Sequence, residues 1–360
     1  MGLKNPYVFA TSIQIIQAGM TLFTKAAING GMKSSVFVFY RLLVGSVFLF
    51  LLSAIFERRS TTPLTFLIFF KISAVAFLSH TLTMNLYGIA LLYTSASLAA
   101  TATNCVPVTT FFFAVLLGRE KVNVREIAGV AKLGGITICI VGGATLAFFN
   151  GPILKPPFAL HSAQNQLQHH DSSTGSTKWI VGCFLSFLAV SSWGLAFVLQ
   201  AGVLETYPSK LHFTSLQCLS STVQSFLVAI TVERDLSEWK LAWNVRLLAV
   251  LYCGFVVTGV SHYLQSWVIA MKGPVFLGMS TPLSPILTMI GSMFLFGENM
   301  NLGSIVGEII LVAGLYSVLW GQTHEQNLAT KSSLPVQDEK TCVNAEDKEP
   351  KDAQASYLAK

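Results

Sequence analysis

The sequence predicts an all-α membrane protein of ten transmembrane helices in two inverted five-helix repeats, and three observations lead there. The 360 residues are 52% hydrophobic and 11% charged, with mean hydropathy +0.61, whereas a soluble domain carries about 25% charged residues. Apolar runs on the scale of the roughly 20 residues that span a bilayer recur along the whole chain, at 7–26, 36–56, 67–87, 95–117, 127–149, 179–199, 211–231, 246–268, 275–296 and 302–320. One stretch also occurs twice: adding 178 to a residue number carries Pro107 to Pro285, Glu120 to Glu298, Asn123 to Asn301 and Gly129 to Gly307, without a gap.

Each copy of that stretch is an apolar run with a proline inside it, a short polar hairpin holding one Glu and one Asn, and a second apolar run. This is the mark of an internal duplication. Two further echoes extend it. Ser79, His80 and Leu82 are matched by Ser261, His262 and Leu264, and Glu57-Arg58 by Glu233-Arg234, each of the last pair closing an apolar segment. With five runs in each half, the second half must enter the membrane from the opposite side, which is the inverted-repeat arrangement of many transporters.

Loop charge assigns the sides. The hairpin after the fourth run carries Arg119, Lys121 and Arg125, whereas its duplicate, 297–302, has neither Lys nor Arg. By the positive-inside rule the first is cytoplasmic and the second is not. Arg58 and Arg59 after the second run agree, and both termini are then expected in the cytoplasm; Arg234, Lys240 and Arg246 pull the other way, in company with Glu233, Asp235 and Glu238. Domain limits follow: residues 1–150 as the first repeat, 151–178 as a non-cytoplasmic linker rich in Pro, Ser and Thr, 179–322 as the second repeat, and 323–360 as a disordered cytoplasmic tail of mixed charge.

Composition also excludes several function classes. The net charge is +6, but its Lys and Arg are scattered through loops and make no basic face for nucleic acid. Five of six cysteines (Cys105, Cys139, Cys183, Cys218, Cys253) lie inside apolar runs, giving no disulfide framework. His161, His169 and His170 share the linker without a Cys or carboxylate cluster to complete a site. No metal and no cofactor are expected. Lys4 leads straight into a full-length apolar run, which reads as a first span and not as a removable signal. No nucleophile, general base and orienting group stand at catalytic spacing, so no enzyme is expected.

Polar residues inside apolar runs are the candidates for a site, because lipid gives a helix no reason to keep them. Thr11, Gln14, Gln17, Thr21 and Thr24 make a helical stripe in the first run; Thr94, Ser97, Thr101 and Asn104 make one in the fourth; Ser280, Ser284 and Thr288 make a third in the ninth. Such stripes line a pathway or pack against another helix, and spacing alone leaves both open. The long amides Gln14, Gln17, Asn104 and Gln265 are costliest to bury and carry the stronger signal. Trp193 in the sixth run joins them as a candidate contact.

Pro107 in the fourth run, and Pro282 with Pro285 in the ninth, delete backbone hydrogen bonds in mid-membrane, which a membrane helix tolerates where protein or water answers the freed carbonyl. Among ionisable groups, Lys25 and Arg41 are expected to snorkel towards an interface. Lys132 and Glu308 are expected as one buried charge per half. His80 and His262 sit at matching positions of the third and eighth runs, and inversion would present both to the same central region. Either they bond neighbouring helices, or one of them protonates during transport.

Several motifs together carry a resemblance: Tyr93-Thr94-Ser95-Ala96, Ala131-Lys132, Gly142-Gly143-Ala144, Gly151-Pro152, Gln265-Ser266-Trp267, Gly273-Pro274-Val275-Phe276, Pro282-Leu283-Ser284-Pro285, Gly314-Leu315-Tyr316 and Trp320-Gly321. Over about residues 6–322 the chain resembles the plant nodulin-like EamA proteins of the drug/metabolite transporter superfamily, the Walls-Are-Thin-related family also called Usually Multiple Acids Move In and out Transporters. The resemblance implies a central cavity lined mainly by the first, third, fourth, sixth, eighth and ninth helices. It implies transport of amino acids, or of auxin in some members, in the plasma or vacuolar membrane. His80 and His262 are not part of the family pattern. The expected function is therefore a facilitator or proton-linked carrier whose partners are a small-molecule substrate and the bilayer, with the oligomeric state open. The alternative within transport is a phosphorylated-metabolite or nucleotide-sugar carrier, which calls for Lys or Arg in the cavity. Outside transport the alternative is a membrane receptor or enzyme.

Overall fold

The computed structural model describes residues 5–57, 64–93, 102–120, 125–149, 152–154, 176–207, 209–235, 239–241, 244–296 and 300–333. The described chain is helical apart from one two-residue antiparallel pairing. The helices are α1 (Pro6–Asn29), α2 (Ser34–Phe56), α3 (66–93), α4 (Val106–Leu116), α5 (Ile127–Phe148), α6 (Ser176–Thr206), α7 (Lys210–Val232), α8 (Val245–Lys272), α9 (274–296) and α10 (Leu302–Ser333). Strand β1 (Ile153–Leu154) pairs with β2 (Met300–Asn301).

Local chemistry sets the helix starts. Asn5 accepts a hydrogen bond from the Tyr7 N–H, and Pro6 fills the first turn, where its missing N–H costs nothing. Asn244 caps α8 in the same way through the Arg246 N–H. Between α8 and α9 the chain reverses at Gly273, whose φ of +88° is open to glycine and strained for other residues, and Pro274 begins the next helix.

Among the described residues, eight helices are long and apolar enough to cross a membrane by themselves. The two exceptions have distinct reasons. Helix α1 has 24 residues, but its Thr and Gln stripe dilutes its hydropathy. Helix α4 is only 11 residues long, because it starts at Val106 after a turn at Asn104 and Cys105. Residues 94–101, expected to complete its run, lie outside the described residues. Helix α9 is interrupted as well, as Pro274–Ser280 and Leu283–Phe296 with a turn at Thr281 and Pro282 between. The expected tail boundary at 323 also moves: α10 continues to Ser333, its overrun pinned where Glu325 pairs with Lys132.

Large apolar side chains on the outer surface, among them Phe50, Phe56, Phe66, Phe112, Phe184 and Phe294, are exposed, the reverse of a soluble fold and the expected surface towards acyl chains. Helices that correspond under the duplication pack on one another: α2 on α7, α4 on α9 and α5 on α10. The α5–α10 seam depends on small residues. A Cβ at Gly135 would lie 2.5 Å from Val318 Cγ2 and 2.6 Å from the Gly314 carbonyl oxygen, and one at Gly142 would lie 2.9 Å from Leu311 Cγ. Early residues of α5 thus meet late residues of α10, so the two run antiparallel with their backbones in near contact.

Side chains clasp the helix ends. At one end of the bundle the Tyr7 and Thr323 hydroxyls meet at 3.1 Å, Glu57 accepts from the Ser209 hydroxyl and the His212 N–H, and Arg119 pairs with Glu205. Lys132, almost wholly buried, bonds Glu120 at 3.1 Å and Glu325. At the other end Arg246 donates to the Gly30 carbonyl, and β1 pairs with β2.

If close backbone approach holds the α5–α10 seam, Gly135→Leu must push the helices apart. Overpacking of this kind costs about 1–3 kcal/mol. A melting temperature of the purified protein several degrees below wild type is expected, with Gly134→Leu, where a Cβ meets nothing within 4 Å, close to wild type.

Candidate functional site

Between two apolar clusters the interior turns polar. One cluster gathers Ile13, Ile72, Val75, Val268 and Phe276, and the other Ala27, Phe37, Val250, Cys253 and Val257. Along α1 and α8 the polar candidates Gln14, His262 and Gln265 fall between residues of these clusters, and His80 follows Ile72 and Val75 of the first cluster in the middle part of α3.

His80 and His262 are brought into contact, with ring centroids 4.7 Å apart and planes at 74°. Both belong to regions where the helix widens: α3 is π-helical over Phe77–Leu82, and α8 over Cys253–Ser261, the turn that delivers His262. Such stretches hold an extra residue per turn and concentrate at functional sites. His262 Nδ1 lies 3.3 Å from Gln265 Oε1, while His80 Nε2 is buried without a hydrogen-bond partner.

The other candidates divide. Gln14 is buried and donates to the Ser280 hydroxyl of α9 at 2.9 Å. Gln17 is half-buried, and its carbonyl accepts from the exposed Thr21 hydroxyl, which turns back on its own helix. Asn104 is buried at the turn before α4 and hydrogen-bonds the Glu308 carboxylate of α10, leaving Asn104 Oδ1 and Glu308 Oε2 unpartnered. Trp193 is half-buried against Phe197. Ser284 is half-buried, its N–H on the Thr281 carbonyl at 3.1 Å. Pro107 and Pro285 both stand in the first turn of a restarted helix, and Pro282 stands in the interruption itself. Thr101 lies outside the described residues, as do His161, His169 and His170; among the described residues no three His, Cys, Asp or Glu side chains cluster as metal ligands.

One expectation about charge changes. Arg41 does not snorkel: it is 4% exposed. It lies well inside α2, where the backbone packs closely on α8, a Cβ at Gly254 falling 2.5 Å from Val44 Cγ1 and 3.2 Å from the Arg41 carbonyl oxygen. Lys132 and Glu308 are both buried, one in each half as expected. The antiparallel run of α5 and α10 puts Lys132 in the clasp at one end and Glu308 beside Asn104 towards the other.

Sequence reading missed a second set of polar bridges. Gln200 of α6 and Thr214 of α7 converge on the Ser266 hydroxyl of α8, at 3.0 and 2.9 Å, and Gln217 of α7 donates to Ser79 of α3 at 3.3 Å. The rule that selected Gln14, a long amide in an apolar run, would have found Gln200 and Gln217 too. A groove of about 770 Å³ bounded by Cys105, Phe112, Ile140 and Phe187 lies on the outer wall between α4, α5 and α6, away from this polar interior.

A bundle of membrane-crossing helices whose polar groups meet inside, in two related halves, has known counterparts. The EamA-like transporter family matches residues 5–146 and 180–320, one segment in each half. A WAT1-related protein of Arabidopsis thaliana is 49% identical over 348 residues, covering 95% of this chain and 97% of its own length. The chain belongs to the EamA-like transporter family. A second WAT1-related protein of Arabidopsis thaliana is 39% identical, covering 88% of this chain and 91% of its own length. A crystal structure of a protein 14% identical has a TM-score of 0.62 over 89% of this chain and 98% of that one, a likeness of fold alone. The EamA-like chain is thus a plant nodulin-like membrane transporter of the drug/metabolite superfamily, integral and multi-pass.

For this EamA-like transporter, Gln14 and Gln17 should matter through their amides. The double variant Gln14→Leu, Gln17→Leu removes hydrogen bonds worth about 1 kcal/mol or more each, so a drop in flux of about tenfold or more is expected with insertion and folding retained. Flux at the wild-type rate in liposomes would assign the stripe to helix packing.

Proposed function

We propose that this transporter carries amino acids and related small metabolites, auxin among them, as a facilitator or proton-linked carrier in the plasma or vacuolar membrane. In this reading ten helices form two inverted five-helix halves, and the substrate binds where they meet. Gln14, Gln17, Thr21, His80, Thr101, Asn104, Trp193, His262, Gln265 and Ser284 contribute to its site, beside helix breaks at Pro107, Pro282 and Pro285.

The observation that carries the reading is the His80–His262 contact, since it joins duplicated positions of α3 and α8 in the interior. Inversion draws support from the antiparallel α5–α10 pair and from the clasps that sort helix ends into two groups. The first residues of α1 lie beside Thr323, in the group that also holds the Arg119 hairpin and the end of α6. The pairing of β1 with β2 brings the linker to the same side as the Lys- and Arg-free hairpin before α10. In that arrangement the Arg119 side is cytoplasmic.

A panel of labelled amino acids in proteoliposomes tests the reading. Saturable uptake of at least one amino acid, inhibited by its unlabelled form, is expected. Saturable uptake of a nucleotide sugar or sugar phosphate, with no saturable amino-acid flux, would replace it with the phosphorylated-substrate alternative.

A further inference from the structure

Arg41 lies one-third of the way along α2 and is 4% exposed. Nη1 donates to the Met20 sulfur of α1 at 2.9 Å, a thioether that is a weak acceptor, and Nε has no hydrogen-bond partner. Among the described residues no carboxylate comes within 4.0 Å of the guanidinium. The ionisable side chains whose electrostatics couple to it are Cys218 of α7, Cys253 and His262 of α8, and His80 of α3. None of them supplies a fixed negative charge. His80 Nε2, also buried, is unpartnered too.

An arginine held in a membrane interior without a counter-ion is unfavourable, since a buried charge needs a partner that forms hydrogen bonds as well. Lysine in the same protein is treated otherwise: Lys132 at the bundle end meets two carboxylates. A guanidinium presents paired N–H groups that match a carboxylate in a fork. Two imidazoles beside it can donate or accept as the ligand requires.

We propose that Arg41, packed against the π-helical turn of α8 that leads to His262, is a buried anion-recognition point that receives the carboxylate of the transported solute. It rests on the reading of the chain as a carrier of amino acids and related acids, and names the group by which such solutes are held. One cation balances a monoanion; the second charge of a phosphate ester would be left uncompensated. The π-helical stretches of α3 and α8 border the position, so both helices have a place to yield as a ligand enters.

The test uses purified full-length protein and follows its melting temperature against sodium benzoate, benzylamine hydrochloride and sodium phosphate at equal ionic strength, because a ligand that binds the folded state raises it. Wild type should respond saturably to benzoate and not to benzylamine. Arg41→Gln should melt at or above the wild-type temperature without ligand, since it removes an uncompensated charge, and should lose the benzoate response. Arg41→Lys keeps the charge without the fork and should need several-fold more benzoate. A benzoate response unchanged in Arg41→Gln, or an unchanged midpoint in Arg41→Lys, overturns the proposal. So does a wild type that ignores benzoate, or one that answers phosphate more strongly. The two readings fail separately. Benzoate binding through Arg41 without amino-acid flux sinks the transport reading alone, and intact amino-acid flux in Arg41→Gln sinks the Arg41 site alone.

Discussion

Hydrocarbon offers no hydrogen bonds, so each amide, hydroxyl and charge carried into the bilayer has to be answered from within the protein. That constraint organises this molecule. Gln14 finds Ser280, Gln200 and Thr214 share Ser266, Gln217 finds Ser79, and the Thr81 hydroxyl donates to Gln224. Each bridge joins different helices, and Gln14–Ser280, Gln217–Ser79 and Thr81–Gln224 join the two halves. In membrane proteins such bonds average about 0.6 kcal/mol each, so their number matters more than any one of them. Some buried groups stay unpartnered, Arg41 Nε, His80 Nε2, Asn104 Oδ1 and Glu308 Oε2 among them. At Arg41 and His80 the fold thereby keeps polar capacity that its own packing does not use.

Small residues hold the frame around that interior. Gly135, Gly142 and Gly314 let α5 and α10 approach backbone to backbone, and Gly45 and Gly254 do the same for α2 and α8. Side-chain clasps then fix the ends, most tightly where Lys132 gathers Glu120 and Glu325. Scaffold and site are thereby divided among the helices. The glycine seams and end clasps form a close-packed shell, and the π-helical turns of α3 and α8, beside the two histidines, are the irregular elements that adjoin the polar centre.

Much of this was legible in the sequence, for physical reasons that also explain the rest. Apolar runs report the bilayer directly, so most helices were placed to within a few residues. The repeat of Ser79-His80 at Ser261-His262 was enough to expect both rings in one region, because inversion carries equivalent positions to the same place. The break before Pro107 and the break at Pro282 were visible because proline cannot donate a backbone bond. Arg41 was misread because snorkelling is judged from distance along the helix, whereas burial is decided by which neighbours enclose a side chain, and Arg41 is 4% exposed with its Nη1 on the Met20 sulfur. The Lys132 clasp was invisible for a related reason: its partner Glu325 lies in what composition alone marks as a polar tail, and only the antiparallel α5–α10 pair brings them together. Thr21 shows the limit of a helical stripe, since a hydroxyl can satisfy itself on its own backbone while a glutamine four residues away cannot.

The central claim is that the two halves meet through α3 and α8 at positions 80 and 262. Cysteines replacing His80 and His262, in a chain whose other cysteines are changed to serine or alanine, test it directly. Oxidation should close a disulfide between positions 80 and 262, read as a change in electrophoretic mobility that reduction reverses. Failure to cross-link under conditions that oxidise a control pair at Ser53 and His212, which touch at 2.7 Å across α2 and α7, would contradict the junction.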